Sequence, residues 1–298
     1  MRPGYSLALL GTLLACVAVG ATSARADENY FGYSYGTETL PKGSWELYNW
    51  VTWRTSKGAG SYNALDIKQE IEYGFTDKFQ GSLYLNTRYH GIHDSQPVEI
   101  EDGVATPEYP NRDQFQFDGV QTSFKYALLS PYKDPLGFAL YAEPGWSQTS
   151  KESGQRENAW SIELKALLQK NFLDDQLIAV LNIIPEYEWA KGKGASHWEN
   201  EFEFEVTGGL SYRVAPKWFV GVETRYTSEY PDFPDETARA YWAFFMGPVV
   251  HYTAERWWVT VTALPQVYGA PQDDARSHSL NLDELEKLEV RVKTGFNF

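Results

Sequence analysis

The chain has 298 residues, with 40 Asp plus Glu against 26 Lys plus Arg and a formal net charge of −14. That balance argues against a nucleic-acid partner, because binding along a phosphate backbone depends on a cationic surface. Aromatic residues make up 16% and hydrophobic residues 43%, yet mean hydropathy is negative, a mixture that suits walls apolar on one side only.

In chain order, Arg2 supplies a positive charge, Leu7 to Gly20 is a short apolar run, and Ala24-Arg25-Ala26 closes it with small residues. Residues 1–26 therefore read as a cleaved secretory signal peptide; its loss removes Arg2 and Arg25 and takes the net charge from −14 down by two, to −16. Leu13-Leu14-Ala15-Cys16 offers a second reading as a lipoprotein site, which Leu14 fits poorly. Cleavage after Ala26 would discard Cys16, the single cysteine, and with it any disulfide, metal thiolate or thiol nucleophile. Nothing later supplies about 18 consecutive apolar residues, so a membrane-spanning helix is not expected. Residues 27–43 read as a periplasmic N-terminal segment, with threading into the lumen as a plug an open alternative, and 44–298 as the barrel.

Within that unit, alternation and turn chemistry predict twelve strands, at about 44–55, 62–76, 78–92, 115–129, 137–149, 157–171, 176–190, 198–213, 218–229, 238–253, 257–268 and 283–298. Tight connections such as Thr76-Asp77 and Thr253 to Arg256 alternate with longer, more polar ones such as His93 to Gln114 and Gly269 to Leu282. Short turns at one end and long loops at the other, with an even strand number, describe an all-β, transmembrane, up-and-down antiparallel barrel whose termini share the periplasmic side. Bacterial outer-membrane lipids would be its solvent.

The strand faces follow from the period of two. Asp66, Lys68, Glu70 and Glu72 oppose Leu65, Ile67, Ile71, Tyr73 and Phe75; Arg88 and His90 share the polar register of Ser82, Tyr84 and Asn86. Glu199, Glu201, Glu203 and Glu205 stand at alternate positions with Phe202, Phe204 and Val206 on the other side. With Glu223, Arg225, Arg291 and Lys293, these residues are the expected lumen lining. Arg225 and the Lys165/Glu163 pair provide counter-charges for the glutamate ladder; complete pairing would narrow or close the pore, and incomplete pairing would attract cations. Pro144, Pro185, Pro248 and Pro265 inside predicted strands imply bulges or local breaks. Asn49 shares the apolar register of Trp45, Leu47, Val51 and Trp53, which leaves the register of that strand ambiguous.

The closing stretch Leu288 to Phe298 alternates Leu, Val, Val, Thr, Phe, Phe with Glu, Arg, Lys, Gly, Asn. Phe296 and the terminal Phe298 resemble the signal read by the outer-membrane barrel assembly machinery, an expected partner. Gly36-Thr37-Glu38-Thr39-Leu40-Pro41-Lys42-Gly43-Ser44-Trp45-Glu46-Leu47, Glu72-Tyr73-Gly74-Phe75-Thr76-Asp77-Lys78-Phe79 and Gly247-Pro248 extend the likeness. Together they resemble a family of proteobacterial outer-membrane barrels labelled as a MetA pathway of phenol degradation. The resemblance spans most of the mature chain, but its motifs are strand and turn features. It implies handling of small, aromatic or hydrophobic molecules and supplies no catalytic residue.

Chemistry beyond transport finds little footing. His90 and His251 fall in lumen registers, while His93, His197 and His278 sit in or beside loops; none forms a local pattern with a serine, and His90 and His93 point to opposite faces. Asp232, Asp235, Glu236, Asp273 and Asp274 read as solvated loop acids, with a divalent-ion site as the alternative. No enzyme, metal or cofactor is expected. A narrow channel for small molecules ranks first, a plugged structural or surface-interaction barrel second, and a barrel hydrolase a distant third.

Overall fold

A computed structural model describes residues 29–96, 98–101, 104–107, 109–234, 238–271 and 280–298. The signal segment with Cys16, the loop acids Asp235, Glu236, Asp273 and Asp274, and His278 lie outside the described residues. Among those described, twelve strands close an antiparallel barrel: β1 Trp45–Thr55, β2 Ala59–Thr76, β3 Phe79–Gln96, β6 Arg112–Leu129, β7 Gly137–Thr149, β8 Arg156–Phe172, β9 Leu177–Gly192, β10 Glu199–Ala215, β11 Trp218–Pro231, β12 Tyr241–Thr253, β13 Trp257–Pro271 and β14 Leu288–Asn297. A separate hairpin, β4 Val98–Glu101 with β5 Val104–Pro107, stands in the connection between β3 and β6 that the sequence reads as loop.

Each strand pairs with its neighbours in sequence, and β14 returns to β1 with Glu46 opposite Asn297 and Thr55 opposite Leu288, which leaves the wall without an edge. Phe298 and Trp45 exchange backbone hydrogen bonds of 3.2 and 3.3 Å, so the terminal aromatic residue completes the seam. Several strands run further toward the long loops than the alternation predicts. At about 3.4 Å per residue and a tilt near 40°, the 18 residues of β2 rise roughly 45 Å, well beyond an apolar band of about 25 Å. β14 instead begins at Leu288, not 283, because the residues before it turn into the lumen.

The alternation gives the two faces their chemistry. On β1, Glu46, Tyr48, Trp50, Thr52 and Arg54 are buried while Trp45, Leu47, Val51 and Trp53 are exposed. Asn49 lies in the outward register, resolving that ambiguity. Outside, Leu83, Leu85, Leu140, Leu164 and Leu181 form an apolar belt; Trp45, Tyr126, Trp218 and Trp257 ring its short-turn end, and Phe115, Trp160 and Trp189 lie toward the long loops. This surface suits lipid, with aromatic rings at both water boundaries.

Pairing breaks where proline removes a ladder donor. Between β8 and β9 it skips from Glu163↔Glu186 to Ala166↔Ile183 around Pro185, and between β6 and β7 from Gln121↔Gly145 to Phe124↔Ala142 beside Pro144. Between β12 and β13 it skips from Phe245↔Gln266 to Val249↔Thr262, a stretch that holds Pro248 on one strand and Pro265 on the other.

One expectation needs correction. Residues 27–43 read as a periplasmic segment, but from Asn29 to Leu40 the chain lies inside the barrel, with Phe31 and Leu40 1% and 0% exposed. The sequence carries the reason in Tyr30, Phe31, Tyr33 and Tyr35: four rings in six residues are poorly placed in water and find cover in the lumen.

The two faces separate tryptophans by environment. Quenching by brominated lipids should fall when Trp160 is replaced by Phe and stay unchanged for Trp258→Phe, since Trp258 is fully buried inside; equal loss in both would contradict the assigned registers.

Candidate functional site

The lumen is organised by what it does with backbone. Thr260 donates to the carbonyl of Asn29 at 2.5 Å. The carboxylate of Glu223 accepts the N–H groups of Gly32, Tyr33 and Ser34 at 3.0, 2.8 and 2.6 Å. Asn182 accepts from the Tyr35 N–H at 2.6 Å and returns a bond to its carbonyl at 3.0 Å. Gln169 takes the Thr37 N–H at 2.8 Å and Gln80 the Leu40 N–H at 2.6 Å. Gln80, Gln169 and Thr260 all lie toward the short-turn ends of their strands, so the segment enters from that end, turns around Tyr33 and Ser34, and leaves the same way.

Lumen cations cover its rings. The Arg291 guanidinium lies 3.7 Å from the Tyr33 centroid, and the Lys165 ammonium 4.0 Å from that of Tyr35. The Lys293 ammonium is 3.9 Å from the Trp50 ring and 3.2 Å from Asn29 Oδ1. Tyr33 also donates to Glu289 at 2.6 Å. Residues 29–40 thus form a plug across the short-turn half of the barrel.

Above the plug lies a cavity of about 520 Å³, floored by Tyr33, Tyr35 and Trp50. Two long loops fold in over it. Residues 150–155 are held by Arg54 and His90, which meet the Lys151 carbonyl at 2.6 and 3.0 Å, and by Tyr62, which donates to the Glu152 carbonyl at 2.9 Å. Residues 280–287 are held by an Arg54–Glu286 ion pair, by Gly58 N–H on the Leu282 carbonyl at 2.5 Å, and by Gln266, which accepts the Asn281 N–H at 2.5 Å.

The cavity walls differ in how fully their charges are paired. On β1, β2, β3 and β6, Arg54 and Arg88 share Asp66 at 2.7 and 2.6 Å, and Arg88 reaches Asp118 at 3.1 Å. Across the lumen, Arg225 binds Glu205, Glu289 at 2.8 Å and, more loosely, Glu203 at 3.9 Å. Lys165 pairs with Glu163 at 2.6 Å, and Lys68 approaches Glu143 at 3.7 Å. The strand register then stacks like charges: Glu163 faces Glu186, Glu186 faces Glu203, Glu203 faces Glu229, and Glu188 faces Glu201. Opposed like charges on adjacent strands destabilise a sheet. Glu186, Glu188, Glu201 and Glu157 line this wall and join no ion pair or hydrogen bond among the described residues.

Of the expected lumen residues, the structure brings Asp66, Lys68, Arg88, Glu201, Glu203, Glu205, Arg225 and Arg291 to the cavity. Glu70 and Glu72 point inward but lie away from it, accepting from Trp50 Nε1 and Tyr48 OH, each at 3.0 Å. Glu223 and Lys293 serve the plug, and His90 the inward loop. Glu199, the first residue of β10, is exposed and stands apart from the cavity. Sequence reasoning missed Glu186, Glu188 and Glu229, although Glu186-Tyr187-Glu188 carries the same period-two signal as the chosen ladder. It also passed over Asn182, Gln169 and Gln80, whose roles appear only once a plug is present. His251 is buried behind the plug, 2.7 Å from Thr260 Oγ1, and no histidine lines the cavity among the described residues. No group of His, Cys, Asp and Glu suited to a metal ion occurs among them.

The comparisons with known proteins bear on this geometry. The model of a family of unknown function, DUF6662, matches residues 23–298. The chain belongs to that family. Among curated proteins nothing matches. Among solved structures, the COG4313 outer membrane channel from Pseudomonas putida F1 superposes with a TM-score of 0.55 at 11% identity, over 88% of this chain and 98% of that one. The NanC porin, at TM-score 0.46 and 12% identity over 85% and 100% of the two chains, is more distant. At such identity the likeness to the channel is one of fold: a bacterial outer-membrane barrel. None of these matches bears on the phenol-pathway label.

Two outcomes follow from the site. Arg225→Met would leave Glu205 and Glu289 buried without their cation and should destabilise the barrel by about 3–5 kcal/mol in urea titration, with Arg225→Lys intermediate; an unchanged midpoint would show that the pairs carry no weight. The second outcome concerns Glu152. Burial raises its pKa, but the attraction of Lys57 and Lys151 outweighs that and lowers it from 4.5 to about 2. A depressed carboxyl stabilises the folded loop above its ordinary pKa and loses that contribution as pH falls through the lowered one. Proteolytic protection of residues 150–155 should therefore hold at neutral pH and decline between about 4.5 and about 2, and less so in Glu152→Gln.

Proposed function

We propose that the protein is a narrow outer-membrane channel for small polar solutes, favouring cations over anions, with residues 29–40 closing its short-turn end in this conformation. One observation carries the reading: a wall of glutamates without counter-charge in an otherwise paired lumen. A structural barrel has no need of it, and the register makes it unfavourable. In a confined path of low local dielectric such carboxylates are screened less than at a free surface, so they concentrate cations and repel anions. The fold shared with an outer-membrane channel supports the reading at the level of architecture.

The solute class moves away from the aromatic or hydrophobic molecules implied by the sequence resemblance. Of the aromatic residues lining the cavity, Tyr33, Tyr35 and Trp50 already carry lumen cations on their faces, and Tyr109, Trp146 and Tyr241 donate to the Asp283 carbonyl, Asn158 and Glu229. A small cation finds the glutamate wall open; an apolar solute finds little lining. The second reading, a permanently plugged structural barrel, draws its support from the many bonds that hold residues 29–40.

Planar-bilayer recordings separate the two. Gly209→Leu should displace the plug, because a Cβ there would stand 2.3 Å from Phe31, and should raise conductance above wild type. The open pore should be cation-selective, and Glu186→Gln, Glu188→Gln and Glu201→Gln together should reduce that selectivity several-fold. Absence of conductance in both wild type and Gly209→Leu would overturn the channel and leave the structural barrel.

A further inference from the structure

The bonds that hold residues 29–40 have a property that their number conceals: most of them reach main chain. Glu223 takes three successive N–H groups, Asn182 makes a two-way bond to one residue as a neighbouring strand would, and Gln169 and Arg291 take one N–H and one carbonyl. As in other peptide recognition, main-chain bonds give affinity and pockets for particular side chains give specificity. Here the pockets are in place. Phe31 lies on Gly209, where a side chain would collide with it at 2.3 Å; Tyr33 lies under Arg291 and Tyr35 under Lys165. Glycine is required at position 32, where a Cβ would stand 2.7 Å from Thr262 Oγ1 and 2.8 Å from Thr262 Cβ, and is favoured at 36, where one would press on the ends of Glu38 and Gln169 at 2.6 and 2.8 Å.

We propose that the short-turn half of the lumen is a peptide-binding site, filled in this structure by the chain's own N-terminal segment and able to take a separate peptide that follows the same bent path and carries the same pattern: ring, glycine, ring, small residue, ring, glycine. The covalent tether gives the resident segment the advantage of a high effective concentration, so a second peptide competes only when the resident one is weakened. This assignment stands on the contacts of residues 29–40 and is independent of whether solute crosses the cavity above.

The full-length chain tests it. Gly32→Val with Gly36→Val should expel the resident segment while leaving the barrel's own groups intact. A fluorescent synthetic peptide with the natural sequence of residues 29–40 should then bind the double variant saturably, by anisotropy in detergent micelles. Binding should be at least tenfold weaker to the wild-type chain, whose site is occupied, and lost when Gly209→Leu is added. Glu223→Gln in the double variant should weaken it about tenfold. A scrambled peptide that binds equally well, or natural peptide that binds the double variant no better than wild type, overturns the proposal. Release of the resident segment is read independently by alkylation of Ser34→Cys in a Cys16→Ser background. If the double variant keeps Ser34→Cys unreactive, the glycine pattern is refuted. Should the double variant fail to assemble, excess natural peptide must accelerate alkylation of Ser34→Cys in the otherwise wild-type chain, and no acceleration overturns the site.

Discussion

Glu223 is fully buried, and its carboxylate accepts three successive backbone N–H groups from a segment of the same chain some 190 residues away. Few other arrangements satisfy such a group so completely. A buried carboxylate without donors is costly, and loose backbone in a lumen leaves donors unmet; each supplies what the other lacks. The path of the N-terminal segment, the position of Tyr33 under Arg291, the bond from Tyr33 to Glu289 and the floor of the cavity all follow from that contact. Without it the lumen would be a wider, differently charged space.

Among the remaining lumen charges are two ion-paired networks, the smaller pairs of Lys165 with Glu163 and Lys68 with Glu143, and an excess of glutamates. Arg54 and Arg88 tie β1, β2, β3 and β6 to the inward loop at Glu286, and Arg225 ties β10 and β11 to β14. Both arrangements add ion pairs to the backbone ladder of the wall, and both draw acids and bases together closely enough to offset their desolvation. The glutamates of β8, β9 and β10 are left over. Their opposition across adjacent strands is a local conflict that packing does not relieve. Such conflicts gather where structure serves something besides its own stability, and a field within a confined aqueous path is the service this geometry offers.

The architecture was legible because a barrel wall writes itself into the sequence twice, once as alternation and once as alternating loop length. The register of Glu199 to Glu205, the ladder breaks at Pro144 and Pro185, and the counter-charge role of Arg225 all come from local signals. What lies inside the barrel does not. Asn182, Gln169 and Gln80 look like ordinary lumen amides until a main chain lies against them, and Glu223 is indistinguishable by pattern from Glu203. The rings of Tyr30, Phe31, Tyr33 and Tyr35 were visible, but their density before the first strand carries no period that says where they go. Contacts between residues 130 to 190 positions apart, on non-neighbouring elements, have no signature in one sequence.

Hydrogen exchange of the Tyr33 and Ser34 amides in the folded, detergent-solubilised protein tests the central interaction most directly. Donation to a buried carboxylate predicts protection comparable to that of β10 and β11, and its loss in Glu223→Ala while the strands stay protected. Rapid exchange of those two amides in the wild-type barrel would contradict it.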